Sequence, residues 1–172
     1  MITKNSSPIY WSLLTCEEWR MYIAAIEEGL CFVGSQNQPF EEFSTWATSR
    51  LPGREWVQDE QKLQPYANEI IAYLQGKLSQ FTLPLFYRGT PFQEAVWKAL
   101  QNIPYGQTRS YSEIAAHIHN PAAIRAVGSA IGANPVLITI PCHRVIGKNG
   151  SLAGYRGGVE MKSSLLRLEQ QA

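Results

Sequence analysis

Residues 138 to 146 place Cys142 between Pro141 and His143, with Arg144 next in line. A free thiol has a pKa of about 8.5 and is mostly protonated at neutral pH, so a reactive cysteine needs a base or a positive field. His143 and Arg144 are adjacent candidates for both. Pro141 fixes its own φ and biases Ile140 toward extended backbone, so the β-branched run predicts a strand whose stiff end carries the thiol. Rigid placement beside a base is what a nucleophile requires. A buried structural cysteine is the commoner fate of a lone thiol and fits these nine residues as well.

The other two cysteines offer less. Cys31 sits inside an apolar strand, where core packing accounts for it, and Cys16 stands beside Glu17 and Glu18, whose charge raises a thiol pKa. Three cysteines without a C-x-x-C pair argue for a reducing compartment, the cytoplasm, and against a disulfide framework. The three histidines lie far along the chain from Cys16 and Cys31, so no metal site is expected. A composition 45% hydrophobic and 17% charged supports a packed core. No apolar run is long enough to span a membrane and the N-terminus has no signal-peptide pattern. Charge is unevenly spread: residues 1–80 carry a net −4 and residues 81–172 a net +5. A basic second half is the footprint of a polyanion partner, although ordinary surface variation also produces such splits.

The elements that must position Cys142 divide into two units, residues 1–84 and 85–172. In the first, period-2 patterns predict strands over 9–14, 19–26 and 30–33, the last two paired as a hairpin. Helical spacing predicts helices over 40–49 and 63–78, the second with a stripe of Tyr66, Ala67, Ile70, Ile71, Leu74 and Leu78. An extended linker follows over 76–88. This unit is a small α/β domain in which no chemistry is visible.

In the second unit, Pro91 suits the first turn of a helix containing Phe92, Val96 and Leu100. Ser110 and Glu113 form a capping box that starts another. Asn120-Pro121 reads as an N-cap followed by proline at N1, so a third helix should begin at once, burying Ile124, Val127, Gly128 and Ile131. Two short helices across a tight turn are the pattern of a helix-turn-helix. The opposite face of the third helix carries Ala122, Arg125, Ala126, Ser129 and Ala133. Small residues there permit close approach to a partner, with one long cation projecting into it, which suits a DNA groove. From this helix alone the plainer reading of Arg125 is a solvated charge. Beyond Cys142, residues 151–158 are glycine-rich, either as turns or as a wall for a flat ligand. A last helix from Val159 to Glu169 places Glu169 on the same flank as Leu165 and Leu166, where a carboxylate needs a partner such as His143.

Taken together, Pro141-Cys142-His143-Arg144-Val145, Asn134-Pro135, Arg125-Ala126-Val127-Gly128, Tyr105-Gly106-x-Thr108, Ser110-Tyr111-x-x-Ile114-Ala115 and Gly154-Tyr155-Arg156-Gly157-Gly158 resemble the O6-alkylguanine-DNA alkyltransferases. The resemblance is clearest over residues 91–169, while the first half agrees in layout. It implies a ribonuclease-H-like α/β domain followed by a mainly α, winged-helix-like domain with a helix-turn-helix. It implies that a monomer binds double-stranded DNA from the minor groove, without cofactor or metal. One alkyl group would pass irreversibly from O6 of guanine, and from O4 of thymine, to Cys142. His143 would be the base on the thiol through a bridging water, Glu169 its orienting carboxylate, and Asn134 the brace of the cysteine turn. Tyr111 would donate toward guanine N3 and help rotate the nucleotide. Arg125 would fill the gap left by the flipped base, with Ala126 and Ser129 against DNA. Val145, Tyr155, Arg156 and Gly157 would line the substrate pocket. Some members carry serine where this chain has Arg156, so a side-chain contact to O6 is not carried over.

Three other readings compete. An alkyltransferase-like lesion binder lacks the cysteine that this chain has. A thiol hydrolase usually brings its histidine from a distant strand. A plain helix-turn-helix regulator leaves Cys142 and Glu169 unexplained.

Overall fold

A computed structural model describes residues 6–152 and 154–171. Ala153, within the glycine-rich run, lies outside the described residues. The first unit is a four-stranded sheet of β1 (Ile9–Cys16), β2 (Trp19–Ile26), β3 (Gly29–Val33) and β4 (Trp56–Gln58), in the order β3-β2-β1-β4. Neighbours in the β1-β2-β3 meander are antiparallel and β4 joins β1 in parallel. Helices α1 (Phe40–Arg50) and α2 (Glu60–Leu74) complete the unit. The exposed-intermediate pattern of β4, only three residues long, gives no periodic signal, and the sequence reading missed it.

Strand β2 is buried on both faces, because each face has its own partner. Met21, Ile23 and Ala25 join a core that continues through Tyr73, Val96, Trp97, Leu137 and Cys142. Ala24 and Ile26 pack on the other side with Phe32, Phe43 and Ala47. The larger core therefore runs through both halves of the chain without a break.

The second unit contains α3 (Pro91–Leu100), β5 (Arg109–Ser110), α4 (Tyr111–His117), α5 (Ile124–Gly132), a single 3-10 turn (Cys142–Arg144), β6 (Val145–Ile146) and α6 (Val159–Gln170). Local signals set two starts. Thr90 and Gln93 form a capping box ahead of Pro91, and Ser110 and Glu113 form another, with Glu113 N donating to Ser110 Oγ at 3.1 Å and Ser110 N to Glu113 Oε2 at 2.8 Å. Trp97 locks α3 to α5 by donating from Nε1 to Ala130 O at 2.8 Å.

Two expectations fail here. Helix α5 does not begin at Pro121: residues 120–123 close a turn, Ala123 N donating to Asn120 O at 3.0 Å, and the helix starts at Ile124. With the start displaced, Ile124 leaves the buried stripe and is 44% exposed. Nor is the run before Cys142 a strand. Val136 makes one isolated bridge to Val33, Ile138 takes φ +69°, and the chain then turns. Tertiary burial overrides the β propensity of Ile138, Thr139 and Ile140.

The sheet edge at β3 is covered twice. Leu30 bridges Leu85 of the linker, and Val33 bridges Val136 from the cysteine loop. Val33 N donates to Pro135 O at 3.0 Å, so the N-terminal sheet holds the loop that carries the thiol. At the other end of β3, Gly29 has φ +154°, and a Cβ there would lie 2.6 Å from Pro84 O. Gly29→Ala should push the linker off the edge and cost about 1–3 kcal/mol in urea unfolding. An unchanged midpoint would show that the linker is not held there.

Candidate active site

Cys142 is wholly buried. Its turn is braced by Asn134, whose Nδ2 donates to Ile140 O at 3.0 Å and to Cys142 Sγ at 3.1 Å, while Oδ1 accepts from Val136 N at 2.9 Å. One buried amide thus closes the loop at both ends and touches the sulfur. Burial pushes the thiol pKa up, while the Asn134 hydrogen bond and the charges of Arg156 and Lys162 pull it down; the net shift is upward. The resting group is the thiol, and it must lose its proton as it reacts.

His143 is fully buried, and its Nε2 lies 2.6 Å from Glu169 Oε2. Burial lowers its pKa despite that carboxylate, so the ring is neutral. Burial alone would raise Glu169, but hydrogen bonds from His143 and Arg144 hold it down at about 2. A neutral ring beside a carboxylate places its proton on Nε2, which donates to Glu169. Nδ1 is then the ring's lone-pair acceptor, and it is buried with no hydrogen bond among the described residues.

Glu169 gathers more than His143. Oε1 accepts from Arg144 Nε at 2.8 Å and Gly106 N at 3.2 Å. Oε2 accepts from Arg144 Nη2 at 3.0 Å and from Tyr73 Oη at 2.5 Å. Arg144 Nη1 donates to Ile103 O at 2.7 Å. Gly106 has φ +79°, a conformation that suits glycine, and this turn aims its N–H at the carboxylate. Arg144 therefore serves Glu169 more than the thiol.

Lys162 and Tyr73 escaped the sequence reading. Lys162, one turn into α6, is wholly buried, with Nζ 5.9 Å from the ring centroids of both Tyr111 and Tyr155. Burial lowers its pKa and the Cys142 charge opposes that. A lysine near a helix start ordinarily reads as a solvated charge. Yet it shares the buried flank of α6 with Met161, Leu165 and Glu169, and the i, i+3 spacing from Lys162 to Leu165 was the signal that could have found it.

The remaining candidates divide. Tyr111, Arg125 and Ser129 line one groove of about 540 Å³ with Gly128, Gly147, Ser151 and Gly154. Arg125, Ala126 and Ser129 are exposed along α5. A Cβ on Gly154 would lie 3.0 Å from the Tyr111 hydroxyl, and one on Gly157 would lie 2.7 Å from the Tyr155 ring, so both positions depend on lacking a side chain. Val145 is buried in β6, and Tyr155 is buried beside the thiol. Arg156 turns away from the groove: Nη2 donates to Val33 O at 2.8 Å, Nε to Asn134 O at 3.1 Å, and Nη1 lies 3.2 Å from Glu42 Oε2. Its guanidinium also lies over Phe32, 5.4 Å from the ring centroid. Arg156 is a strut between the halves of the chain, a role its position in a glycine-rich loop did not announce.

Two family models cover the chain. Residues 9–87 match the ribonuclease-like domain of 6-O-methylguanine DNA methyltransferase, and residues 91–171 match its DNA binding domain. The chain belongs to the 6-O-methylguanine DNA methyltransferase family. It is 63% identical over 168 residues to the inducible methylated-DNA–protein-cysteine methyltransferase of Bacillus subtilis, covering 98% of this chain and 94% of that one. It is similar to the crystal structure of Mycobacterium tuberculosis OGT in complex with DNA, at 40% identity and a TM-score of 0.81, covering 94% and 93% of the two chains. The methyltransferase of Pyrococcus kodakaraensis shares the fold at 23% identity, with a TM-score of 0.70 over 94% of this chain and 98% of that one.

The methyltransferase site carries a pH signature. Glu169 has a folded pKa of about 2 against an ordinary 4.5, so its stabilisation is full above 4.5 and is lost as pH falls through that window. His143, lowered from 6.5, works in the same direction: below 6.5 the unfolded chain binds its proton first. Glu169→Gln should be less stable by about 3–5 kcal/mol at pH 7, because Arg144 loses its counter-charge. The gap to the parent protein should close between pH 4.5 and 2 in urea titrations. A gap independent of pH would mean that Glu169 is not a buried anion.

Proposed function

We infer that the protein repairs O6-alkylated guanine in double-stranded DNA by taking the alkyl group irreversibly onto Cys142. The observation that carries the reading is the Asn134-held thiol of Cys142 followed directly by a neutral His143, whose Nε2–H is committed to Glu169 and whose Nδ1 lone pair remains available. The relatives' names, which specify methylated DNA and a protein cysteine, support the same reaction.

A base inside a duplex cannot reach a buried sulfur, so the nucleotide leaves the stack, at a cost of a few kcal/mol. Helix α5 meets the minor groove with Ala126 and Ser129 against the backbone, and Arg125 enters the gap. The flipped guanine occupies the groove between α5 and Gly147, Ser151 and Gly154, with Val145, Tyr155 and Gly157 forming its inner wall. The thiol proton passes to Nδ1 of His143 through one water, and Glu169 steadies the imidazolium that forms. Sγ attacks the alkyl carbon: the S–C bond forms, the C–O6 bond breaks, and its electron pair returns to the purine. Tyr111 hydrogen-bonds guanine N3 as that charge develops. Lys162 offsets the charge of the thiolate. O4-alkylthymine presents the same alkyl ether and is a second substrate. No cofactor enters the balance.

We place the boundary between the domains near residues 84 and 85. The first is read as ribonuclease-H-like and the second as winged-helix-like, built on the α4–α5 helix-turn-helix. Three free cysteines, one of which must stay reduced, suit a monomer working in the cytoplasm. Among the described residues no helix is long and apolar enough to cross a membrane.

Intact-protein mass spectrometry after mixing with a duplex carrying one O6-methylguanine should show one added methyl, mapped to the Cys142 peptide, in stoichiometric amount. Cys142→Ala should bind the duplex and gain no mass. Binding without transfer by the parent protein would instead support a lesion-binding protein. Arg125→Ala should slow transfer from duplex at least about tenfold, equivalent to about 1.4 kcal/mol of the unstacking cost, and leave transfer from the free base near the parent rate. Equal slowing on both substrates would remove Arg125 from the flipping step.

A further inference from the structure

Tyr73 lies on α2, in the half of the chain whose sequence displays no chemistry. Its side chain is fully buried, and its hydroxyl donates to Glu169 Oε2 at 2.5 Å while lying 3.3 Å from His143 Nε2. The ring meets Tyr105 edge-on at 6.0 Å, Phe81 at 5.4 Å and His143 at 6.5 Å between centroids. Three rings therefore fix the direction of one O–H bond.

A buried phenol ordinarily finds whichever acceptor is near. The acceptor here is specific in a way that satisfaction alone does not require. Glu169 already has Arg144, Gly106 and His143 as donors. Tyr73 adds its bond to Oε2, the oxygen that holds the Nε2–H of His143, and not to Oε1. A donor on that oxygen draws electron density from it and fixes its direction, so it governs how strongly the carboxylate pulls on the ring. Burial and the Glu169 charge push the Tyr73 phenol far up, so it stays a donor wherever the protein is folded.

We propose that Tyr73 is a positioning residue for alkyl transfer, through which the N-terminal domain holds the Glu169–His143 pair in register. The proposal rests on His143 being the base in that transfer. The site is then complete only with both halves of the chain.

The groups facing His143 come from every element packed on it: Glu169 and Lys162 on α6, Arg144 on its own turn, Cys142 before it, and Tyr73 on α2, with Tyr105 beyond Glu169. Loss of the Tyr73 hydroxyl leaves Oε2 the stronger acceptor and raises the proton affinity of the ring. Tyr73→Phe in the full chain keeps the three ring contacts and removes only the hydroxyl. Two readouts are compared with the parent: the single-turnover transfer rate against pH, and the titration of the His143 ring nitrogens by NMR in the free protein.

The Phe variant should transfer about tenfold more slowly at neutral pH, with the acid limb of the rate profile and the His143 midpoint both moved to higher pH and duplex affinity unchanged. Phe81→Leu, which loosens the same packing without touching the hydroxyl, should lower thermal stability and leave both midpoints in place. Unmoved midpoints in Tyr73→Phe, or an equal movement in Phe81→Leu, would reduce Tyr73 to packing. If the parent protein transferred nothing, the repair reading itself would fall, while the NMR midpoint would still decide whether Tyr73 tunes His143.

Discussion

The structure depends on one buried anion. Glu169 is nearly inaccessible and charged, and it accepts from five donors delivered by three separate segments, namely Tyr73 on α2, Gly106 in the turn after α3, and His143 and two nitrogens of Arg144 on the cysteine turn; α6, which carries the carboxylate, is the fourth segment at this point. An unpaired buried carboxylate costs several kcal/mol, and each donor left unsatisfied costs about 1–3 kcal/mol more. The four segments are thus placed by the need to meet at one point. The next residue back from His143 is Cys142, so meeting this need also fixes the nucleophile.

A second set of bonds fixes the same loop from the other side. Asn134 closes it locally, and Val33 and Arg156 tie it to the N-terminal sheet. This rigidity permits Ile138 to hold φ +69°, a left-handed conformation that costs a β-branched residue on the order of 1–3 kcal/mol. Ile138 is completely buried, and burial of its side chain offsets that cost. Strain therefore sits in the turn leading to the thiol, held by packing from both halves. A merely structural cysteine has no need of such support.

Features encoded in a few neighbouring residues were legible in the sequence. The Ser110–Glu113 capping box, Pro91 in the first turn of α3, the β2–β3 hairpin and the exposed face of α5 follow from local rules and reappear in the fold. Cys142, His143 and Glu169 could be named from type and spacing and Asn134 from the family resemblance; Asn134 lies on the Cys142 sulfur and Glu169 on the His143 ring. What escaped depends on contacts distant in sequence. Asn120-Pro121 carries a helix-start signal, but a turn satisfies it first. The run before Cys142 has strand propensity and is bent by its burial. Tyr73 falls inside a helix whose apolar stripe explains its neighbours, and the carboxylate it reaches is 96 residues away. Lys162 and Arg156 look like surface cations until the rings and carbonyls around them are in place.

The packing around Sγ also bears on why the reaction would run once. The sulfur is fully enclosed and receives the Asn134 amide at 3.1 Å. An alkyl group on that sulfur must occupy space that Asn134 and the other enclosing side chains now fill, and extra methylene volume in a packed core costs about 1–3 kcal/mol. The thioether would be uncharged and a weaker acceptor, so Asn134 would lose part of its bond and Lys162 would face no anion. Every group arranged to favour the thiolate would then be arranged around a neutral sulfur that no longer needs it. The restored guanine is a poor nucleophile toward the thioether. The features proposed to make the thiol reactive toward an alkylated base would thus leave the product disfavoured in its own site.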